Sequence, residues 1–368
     1  MQGPSRQHVI AFVDLDYFFA QVEELERPEL ADKPLVVCVY SGRTPTSGVV
    51  SSANYLARSY GVKAGIPIIR AMKLLPESAV FLPARMQLYQ EVSGRVMAIL
   101  GEYADSIRIE SIDEASLDIT GRVEGDFSRA HHLVRSMKER LRGSLGLKCS
   151  VGVAPNRVVA KLAADTSKPD GLKIVRPEEV DAFLAPLEVG KLPGVGVKLG
   201  KMLAETGVKT IGDLANLPIE TLIGIAGSKR AIYLKLAAQG RFEERISGRV
   251  ERRQYSRILT LKRDTSDVDE VMAELEPVIG ELWERLLKSG LRARVLGLHI
   301  ITSQLKTITR QKAIHPSLED VKKNVRELLT ELIAAEPDIV IRRAGVRFSS
   351  FLKMSGQSSL TSFTANNH

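Results

Sequence analysis

The element order β-α-β-β-α-β can be read twice along this chain, and few folds satisfy it. In the first half, strand Val9–Val13 leads into a helix from about Tyr17 to Leu25, with Asp16 as its expected N-cap. Helix Met86–Tyr103, strand Ser106–Ser111, strand Ala115–Ile119, helix Ser128–Leu145 and strand Lys148–Ala154 complete a split βαβ plan. Residues from about 26 to 80 then form an insertion, with the buried-strand run Leu35–Tyr40 and short helices Asn54–Tyr60 and Pro67–Leu75. Residues 176–245 read as helical throughout, and Arg241 to Arg253 is a charged, linker-like stretch. Strand Tyr255–Leu261, helix Val268–Lys288, strands Val295–Thr302 and Thr307–Ala313, helix Leu318–Ala335 and strand Val340–Ser349 repeat the order. Ser317 with Asp320 makes a capping-box-like start to the last helix. An α+β multidomain chain is expected.

Two strand-like runs of the first half end in carboxylates. His8 to Val13 runs into Asp14-Leu15-Asp16, and Ser106 to Ile112 runs into Asp113-Glu114. Placed side by side in one sheet, these tips build an acidic cleft. Crowded carboxylates repel and take up protons unless a cation neutralises them. Oxygen-only clusters suit Mg²⁺, which keeps water and substrate phosphates in its octahedron, and this is the arrangement of two-metal phosphoryl transfer. A DxD alone is as readily a turn cap; the second acidic pair makes the difference.

The chain has 368 residues, too many for one ordinary domain. Net charge is +8 with pI about 9.4, which points to an anionic partner. Cys38 and Cys149 both lie in apolar strand-like runs, and without CxxC a cysteine zinc site is excluded. No apolar run approaches the ~20 residues of a membrane span, and the N-terminal run, interrupted by Asp14, is not a signal peptide. A reducing, cytoplasmic setting without a membrane partner is expected.

Other strings carry phosphate-binding chemistry. Tyr55 and Arg58 fall three apart on one helix face, and Arg suits bidentate phosphate binding; alone, the pair also reads as a surface Arg beside a half-buried Tyr. Lys161 and Lys168 flank Ala163–Ser167, before the turn Pro169-Asp170-Gly171. Tyr17, Phe18 and Phe19 follow the first acids, where a ring can wall a sugar and exclude a 2′-hydroxyl. Leu192-Pro193-Gly194-Val195-Gly196, followed by Lys198 and Lys201, reads as a helix-hairpin-helix. Its glycines allow close backbone approach to a phosphate beside a helix N-terminus, and such contacts ignore base sequence. Gly224 to Lys229 is a weaker second copy. Arg249, Arg252, Arg253, Arg257, Lys262 and Arg263 cluster, and Arg342, Arg343 and Arg347 mark the last strand; paired in one sheet, the two groups make a basic face.

In this order the motifs resemble the Y-family DNA polymerases, specifically the polymerase IV (DinB-like) branch of archaea and bacteria. The resemblance runs from about residue 8 to 351 and rests on Val13–Glu23, Ala53–Arg58, Ser111–Ala115, Ala163–Pro169 and Gly345–Ser349. It implies a right-hand polymerase: a ferredoxin-like (split βαβ) palm over 1–25 and 81–175, a small fingers insertion over 26–80, and an all-helical helix-hairpin-helix thumb over 176–243. A linker over 244–253, a βαββαβ little finger over 254–352 and a disordered tail over 353–368 follow. By motif position it implies Asp14, Asp113 and Glu114 as catalytic ligands of two Mg²⁺ ions, assisted by the Leu15 carbonyl. Phe19 matches the steric gate, and Phe18, Tyr55, Arg58 and Lys168 fall among the deoxynucleotide-binding residues. Gly194, Gly196, Lys198, Arg252, Arg253, Arg257, Arg342, Arg343 and Arg347 are the expected DNA contacts. Leu15 stands where many relatives have Phe and Ser116 where an aromatic is usual, which bears on local pocket shape alone.

The tail segment Gln357-Ser358-Ser359-Leu360-Thr361-Ser362-Phe363 is similar to the QxxLxxF peptide that plugs Leu360 and Phe363, with Gln357, into a sliding clamp. The implied activity is low-fidelity, template-directed translesion DNA synthesis, used in DNA repair. The implied protein is a monomer with primer-template DNA, deoxynucleotides and a clamp as partners, and with no segment left for a proofreading exonuclease. A nucleotidyl cyclase also uses paired acids on a split βαβ domain but leaves the hairpin and the basic second half unexplained. A DNA-binding scaffold with a degenerate palm would not need all three acids.

Overall fold

The computed structural model describes residues 8–242, 244–246, 253–314 and 317–353. They fall in two compact units: one runs up to Cys38 and takes in Val50–Ile66 and Arg70–Val250, the other takes in Val39–Val49, Pro67–Ile69 and the chain from Glu251 onward.

The first unit is organised on strand β1 (Ile10–Leu15), every residue of which is buried. Helix α1 (Phe18–Glu26) follows. An inserted three-stranded sheet comes next, with β2 (Leu35–Tyr40), β3 (Gly48–Ala53), helices α2 (Tyr55–Ser59) and α3 (Ile68–Leu74), and β4 (Val80–Pro83), in the order β3-β2-β4. The chain returns through α4 (Met86–Glu102), β5 (Ser106–Ile109), β6 (Glu114–Asp118), α5 (Phe127–Leu145), β7 (Cys149–Ala154), α6 (Arg157–Thr166) and β8 (Leu172–Ile174). The main sheet has the order β5-β6-β1-β7-β8. Its first four strands are the antiparallel split βαβ arrangement, and β8 is added parallel to β7 across α6.

Alternation along β1 assigns its faces. Ala11, Val13 and Leu15 pack with α1, α4 and α5 in one core, whereas Ile10 and Phe12 pack against α6 and the helices that follow it. Asp14 has the parity of Phe12 and so stands on the α6 face. There α6 lies against the sheet so closely that a Cβ on Gly152 would come within 2.0 Å of the Ala160 carbonyl oxygen. Cys38 and Cys149 are buried, as their strand runs predict.

Residues 176–242 are helical, with α7 (Val180–Leu184), α8 (Val197–Glu205), α9 (Ile211–Asn216), α10 (Ile219–Ala226) and α11 (Ser228–Ala238). The second unit holds β9 (Gln254–Thr265), α12 (Val268–Lys288), β10 (Leu291–Thr302), β11 (Thr307–Ala313), α13 (Leu318–Ala335) and β12 (Ile341–Lys353). The element order repeats, but the sheet order does not. Here the first strand of the set is at an edge, β11-β10-β12-β9, while in the main sheet β1 is internal. Ser317 caps α13, accepting from the Asp320 N–H at 3.1 Å. No helix among the described residues is long and apolar enough to cross a membrane.

Candidate active site

Strand register brings the acids together. Asp14 is directly opposite Glu114 in the β1–β6 pair, which places their Cα atoms about 4.5–5.5 Å apart. Asp113 occupies the turn before β6, and its carbonyl accepts from the Leu15 N–H at 2.9 Å, tying the turn to the β1 tip. The Ser111 hydroxyl donates to Asp113 Oδ1 at 2.6 Å. Asp14 is buried, and Asp113 and Glu114 are half-buried.

Two lysines from the α6 side answer this charge. Lys168 Nζ donates to Asp14 Oδ2 at 2.6 Å, and Lys161 Nζ pairs with Glu114 while lying 4.5 Å from the centre of the Phe12 ring. Burial pushes the Asp14 carboxyl up to about 7; Lys168 works against that shift, and the charges of Glu114 and Asp113 add to it. Burial works against the Lys161 ammonium, but Glu114 outweighs it and holds the group above its ordinary range. In the sequence Lys161 stands out only as flanking Ala163–Ser167 with Lys168, without a role of its own; it lies within α6, and Lys168 lies in the turn beyond it.

A set of carboxylate oxygens suits a hard divalent cation. Among the described residues, however, no three His, Cys, Asp or Glu side chains are gathered to hold one as they stand. The ammonium groups supply the positive charge a metal would bring, so binding there means exchanging lysine contacts for metal contacts. On that donor chemistry the residues fit the group.

Asp16 departs from expectation. The N-cap position of α1 is Tyr17, in a left-handed conformation (φ 37°) and with no side-chain cap bond. Asp16 is instead 1% exposed. Its Oδ1 accepts from the Tyr55 hydroxyl at 3.1 Å and the Ser150 hydroxyl at 2.9 Å, and its Oδ2 accepts from the Asp170 N–H at 2.7 Å. A cap would have left the carboxylate at the helix end; three donors from elsewhere in the fold draw it inward.

The Phe18 side chain faces the core, 2% exposed, which leaves its backbone for the expected nucleotide contact. Helical spacing turns Phe19 another way: it is partly exposed, and its ring stacks on Tyr89 at 4.4 Å and 12°. The Tyr89 hydroxyl donates to Glu23 at 2.6 Å, and Arg85 grips the same carboxylate with two bonds. Burial would raise the Glu23 carboxyl, but these partners prevail and hold it below its usual range. Arg58 is exposed, with its guanidinium 5.2 Å from the Tyr55 ring centre and Nε donating to the Ala53 carbonyl at 2.8 Å. The Asn54 side chain caps α2, accepting from the Ala57 N–H at 2.9 Å, and so presents both residues. Ser116, at an aromatic position by resemblance, is fully buried and donates to Glu110 at 2.7 Å.

The impB/mucB/samB family model matches residues 13–165, the IMS family HHH motif 177–208, and the impB/mucB/samB family C-terminal domain 252–362. DNA polymerase IV of Methanosarcina acetivorans is 42% identical over 363 residues, covering 96% of this chain and 99% of the relative. DNA polymerase IV of Saccharolobus solfataricus is 39% identical, covering 94% and 96%. The chain belongs to the Y-family of DNA polymerases. Among solved structures, a Y-family polymerase chimera of Dbh and Dpo4 superposes with a TM-score of 0.88 at 39% identity, and an insertion ternary complex of Dbh DNA polymerase with 0.67 at 38%. Each covers 94% of this chain and 99% of its own.

In this Y-family chain the hairpin residues lie where α8 begins. Gly194 has φ +96°, and a Cβ there would meet the Tyr233 ring at 2.9 Å, so glycine is required twice over. Gly196 is the N-cap of α8, and Lys198 is exposed in its first turn. In the second unit, β9 and β12 do pair, but the alternation divides the arginines. Arg343 and Arg347 sit opposite Thr260 and Ser256 on the face away from α12 and α13. Arg257 sits opposite the buried Val346 and pairs with Glu281 of α12, so it leaves the expected basic face. Arg342 lies 3.7 Å from Asp264, and Arg253 is exposed. Arg252, Gln357, Leu360 and Phe363 lie outside the described residues.

Proposed function

We propose that this Y-family DNA-directed DNA polymerase adds deoxynucleotides to a primer 3′-hydroxyl at the β1–β6 tip, with Asp14, Asp113 and Glu114 as the ligands of two Mg²⁺ ions and the Leu15 carbonyl assisting. The observation that carries this reading is the cross-strand opposition of Asp14 and Glu114, with Asp113 tied to Leu15 beside them. Bound there, divalent ions supply Lewis-acid activation of the hydroxyl and neutralise charge on the leaving pyrophosphate. Lys168, Tyr55 and Arg58 bind the triphosphate, offsetting its charge from the α6 side and from α2. Phe19 walls the sugar and excludes a 2′-hydroxyl.

The helical segment and the second unit hold duplex phosphates through Gly194, Gly196, Lys198, Arg343 and Arg347, without reading bases. The inserted sheet is small, only three strands, which favours a roomy pocket and low-fidelity lesion bypass. The protein works as a cytoplasmic monomer, and its QxxLxxF tail engages a sliding clamp. Primer extension with Mg²⁺ and deoxynucleotides on a primed template tests the reading. Template-directed extension supports it, and absence of extension with intact DNA binding sinks it in favour of a binding scaffold.

A further inference from the structure

Asp16 is a buried carboxylate of the first unit, 1% exposed, with three hydrogen-bond donors on its side chain, yet the chemistry assigned to Asp14, Asp113 and Glu114 does not use it. Its three donors are neutral and come from three separate elements: Tyr55 from α2, Ser150 from β7 and the Asp170 N–H from the turn after α6. That turn carries Lys168 two residues earlier. It is also held from outside, where Lys138 Nζ donates to the Asp170 and Gly171 carbonyls at 2.6 and 2.9 Å and Arg142 pairs with the Asp170 side chain. Asp170 has φ 48°, a conformation an L residue adopts only when its surroundings hold it there. On the other side, the Tyr55 ring is set edge-on to Tyr17 at 5.0 Å.

We propose that Asp16 is a positioning residue for nucleotide binding: one buried carboxylate fixes the spacing between Tyr55 and the Lys168 turn, two groups brought together from remote parts of the chain. The inference rests on the reading of Tyr55 and Lys168 as triphosphate-binding residues. A carboxylate suits the task because each oxygen accepts, and both are used. An amide of the same shape has one accepting oxygen; with that oxygen on the Asp170 N–H, its NH₂ faces Tyr55 and Ser150, whose hydroxyls must reverse to accept, so every charge-assisted bond is replaced by a weaker neutral one. The chemical step does not pass through Asp16, so its loss is felt in nucleotide affinity.

Single-turnover incorporation measured against deoxynucleotide concentration separates affinity from the rate at saturation. For Asp16→Asn the apparent nucleotide Kd is expected to rise roughly ten- to hundredfold, the factor carried by one hydrogen bond to a charged group. The saturating rate should change by about threefold or less. Ser150→Ala keeps the carboxylate and removes one donor, so it should raise Kd in the same direction by a smaller factor; it also covers the case in which Asp16→Asn folds poorly. In a Tyr55→Phe background the Asp16→Asn effect should shrink, since half of what it positions is gone. A fall in saturating rate at unchanged Kd, or no change in either for both variants, overturns the proposal. If Tyr55→Phe and Lys168→Ala themselves leave Kd unchanged, the triphosphate reading fails first and takes with it the reason for Asp16.

Discussion

Asp14 and Glu114 oppose each other across β1 and β6, and each holds its own lysine, Lys168 on Asp14 and Lys161 on Glu114. Like charges placed directly opposite in an antiparallel pair are destabilising, and here the lysines and a displaced proton equilibrium relieve them. Burial first, then the neighbouring acids, carry the Asp14 carboxyl from its ordinary 3.8 to about 7. A carboxyl raised in the folded state stabilises fully below its unfolded value, and that contribution is lost as pH rises from about 3.8 through about 7. Without divalent metal, the Tm difference between wild type and Asp14→Asn should therefore change across this window. Wild type should lose stability relative to the variant as pH rises. Mg²⁺ should restore wild type more at the upper end, where the carboxylate is ionised. Parallel melting curves for the two proteins at all pH values would refute the assignment.

Asp113 sits in the turn where one carboxylate can reach the β1 tip without a lysine partner of its own among the described residues. Asp113→Ala should reduce nucleotide addition by on the order of a thousandfold or more, the scale for removing a charge-stabilising group. DNA affinity by fluorescence anisotropy should stay within about twofold, because phosphate contacts dominate it. Retained primer extension would move the site elsewhere.

Much of the architecture was legible because it is local. Helices Val268–Lys288 and Leu318–Ala335 and strands Leu35–Tyr40 and Thr307–Ala313 have the bounds expected from pattern and capping. The elements that went unrecognised lack a local signature. Strand β3 is small and polar, and β4 is four residues ending in Pro83. The acids were readable because each ends a strand run. The partners of Asp16 were not, since Tyr55, Ser150 and Asp170 meet only in the folded chain. The order of the second sheet depends on the same kind of non-local pairing.

Phe19 projects from the first turn of α1 and is held against Tyr89, whose hydroxyl is fixed by Glu23. A ring locked by a stack cannot swing aside to admit a bulkier sugar. Phe19→Ala should raise the ribonucleotide-to-deoxynucleotide ratio of kcat/KM by more than about tenfold. Deoxynucleotide addition itself should fall much less. An unchanged sugar preference in single-turnover incorporation would remove Phe19 from the gate.

The tail offers a test independent of the active site. Deleting the residues after Gly356 removes Gln357, Leu360 and Phe363 together. Basal primer extension should be unchanged, and stimulation by a sliding clamp should disappear, since the peptide docks through its two apolar plugs. Equal clamp stimulation of the shortened protein would show that the clamp, if it binds, binds elsewhere.

The division of arginines across the second sheet predicts unequal roles for residues that look alike in sequence. Arg343 donates to the Thr260 hydroxyl at 3.0 Å and Arg347 to Gln311 at 3.3 Å, both partners neutral, so their charge remains available to phosphate. Gly297 lies under Arg347, where a Cβ would come within 3.1 Å of its Nε, and the guanidinium can lie flat on the sheet. Arg257 is already neutralised by Glu281 on the helix side. Arg343→Ala and Arg347→Ala should each weaken binding to any duplex sequence and each reduce the slope of log K against log salt by about 1. Arg257→Ala should leave that slope within error of wild type. If Arg257→Ala flattens the salt dependence as much as Arg347→Ala does, DNA approaches the helix side of the sheet and the assignment of faces is reversed.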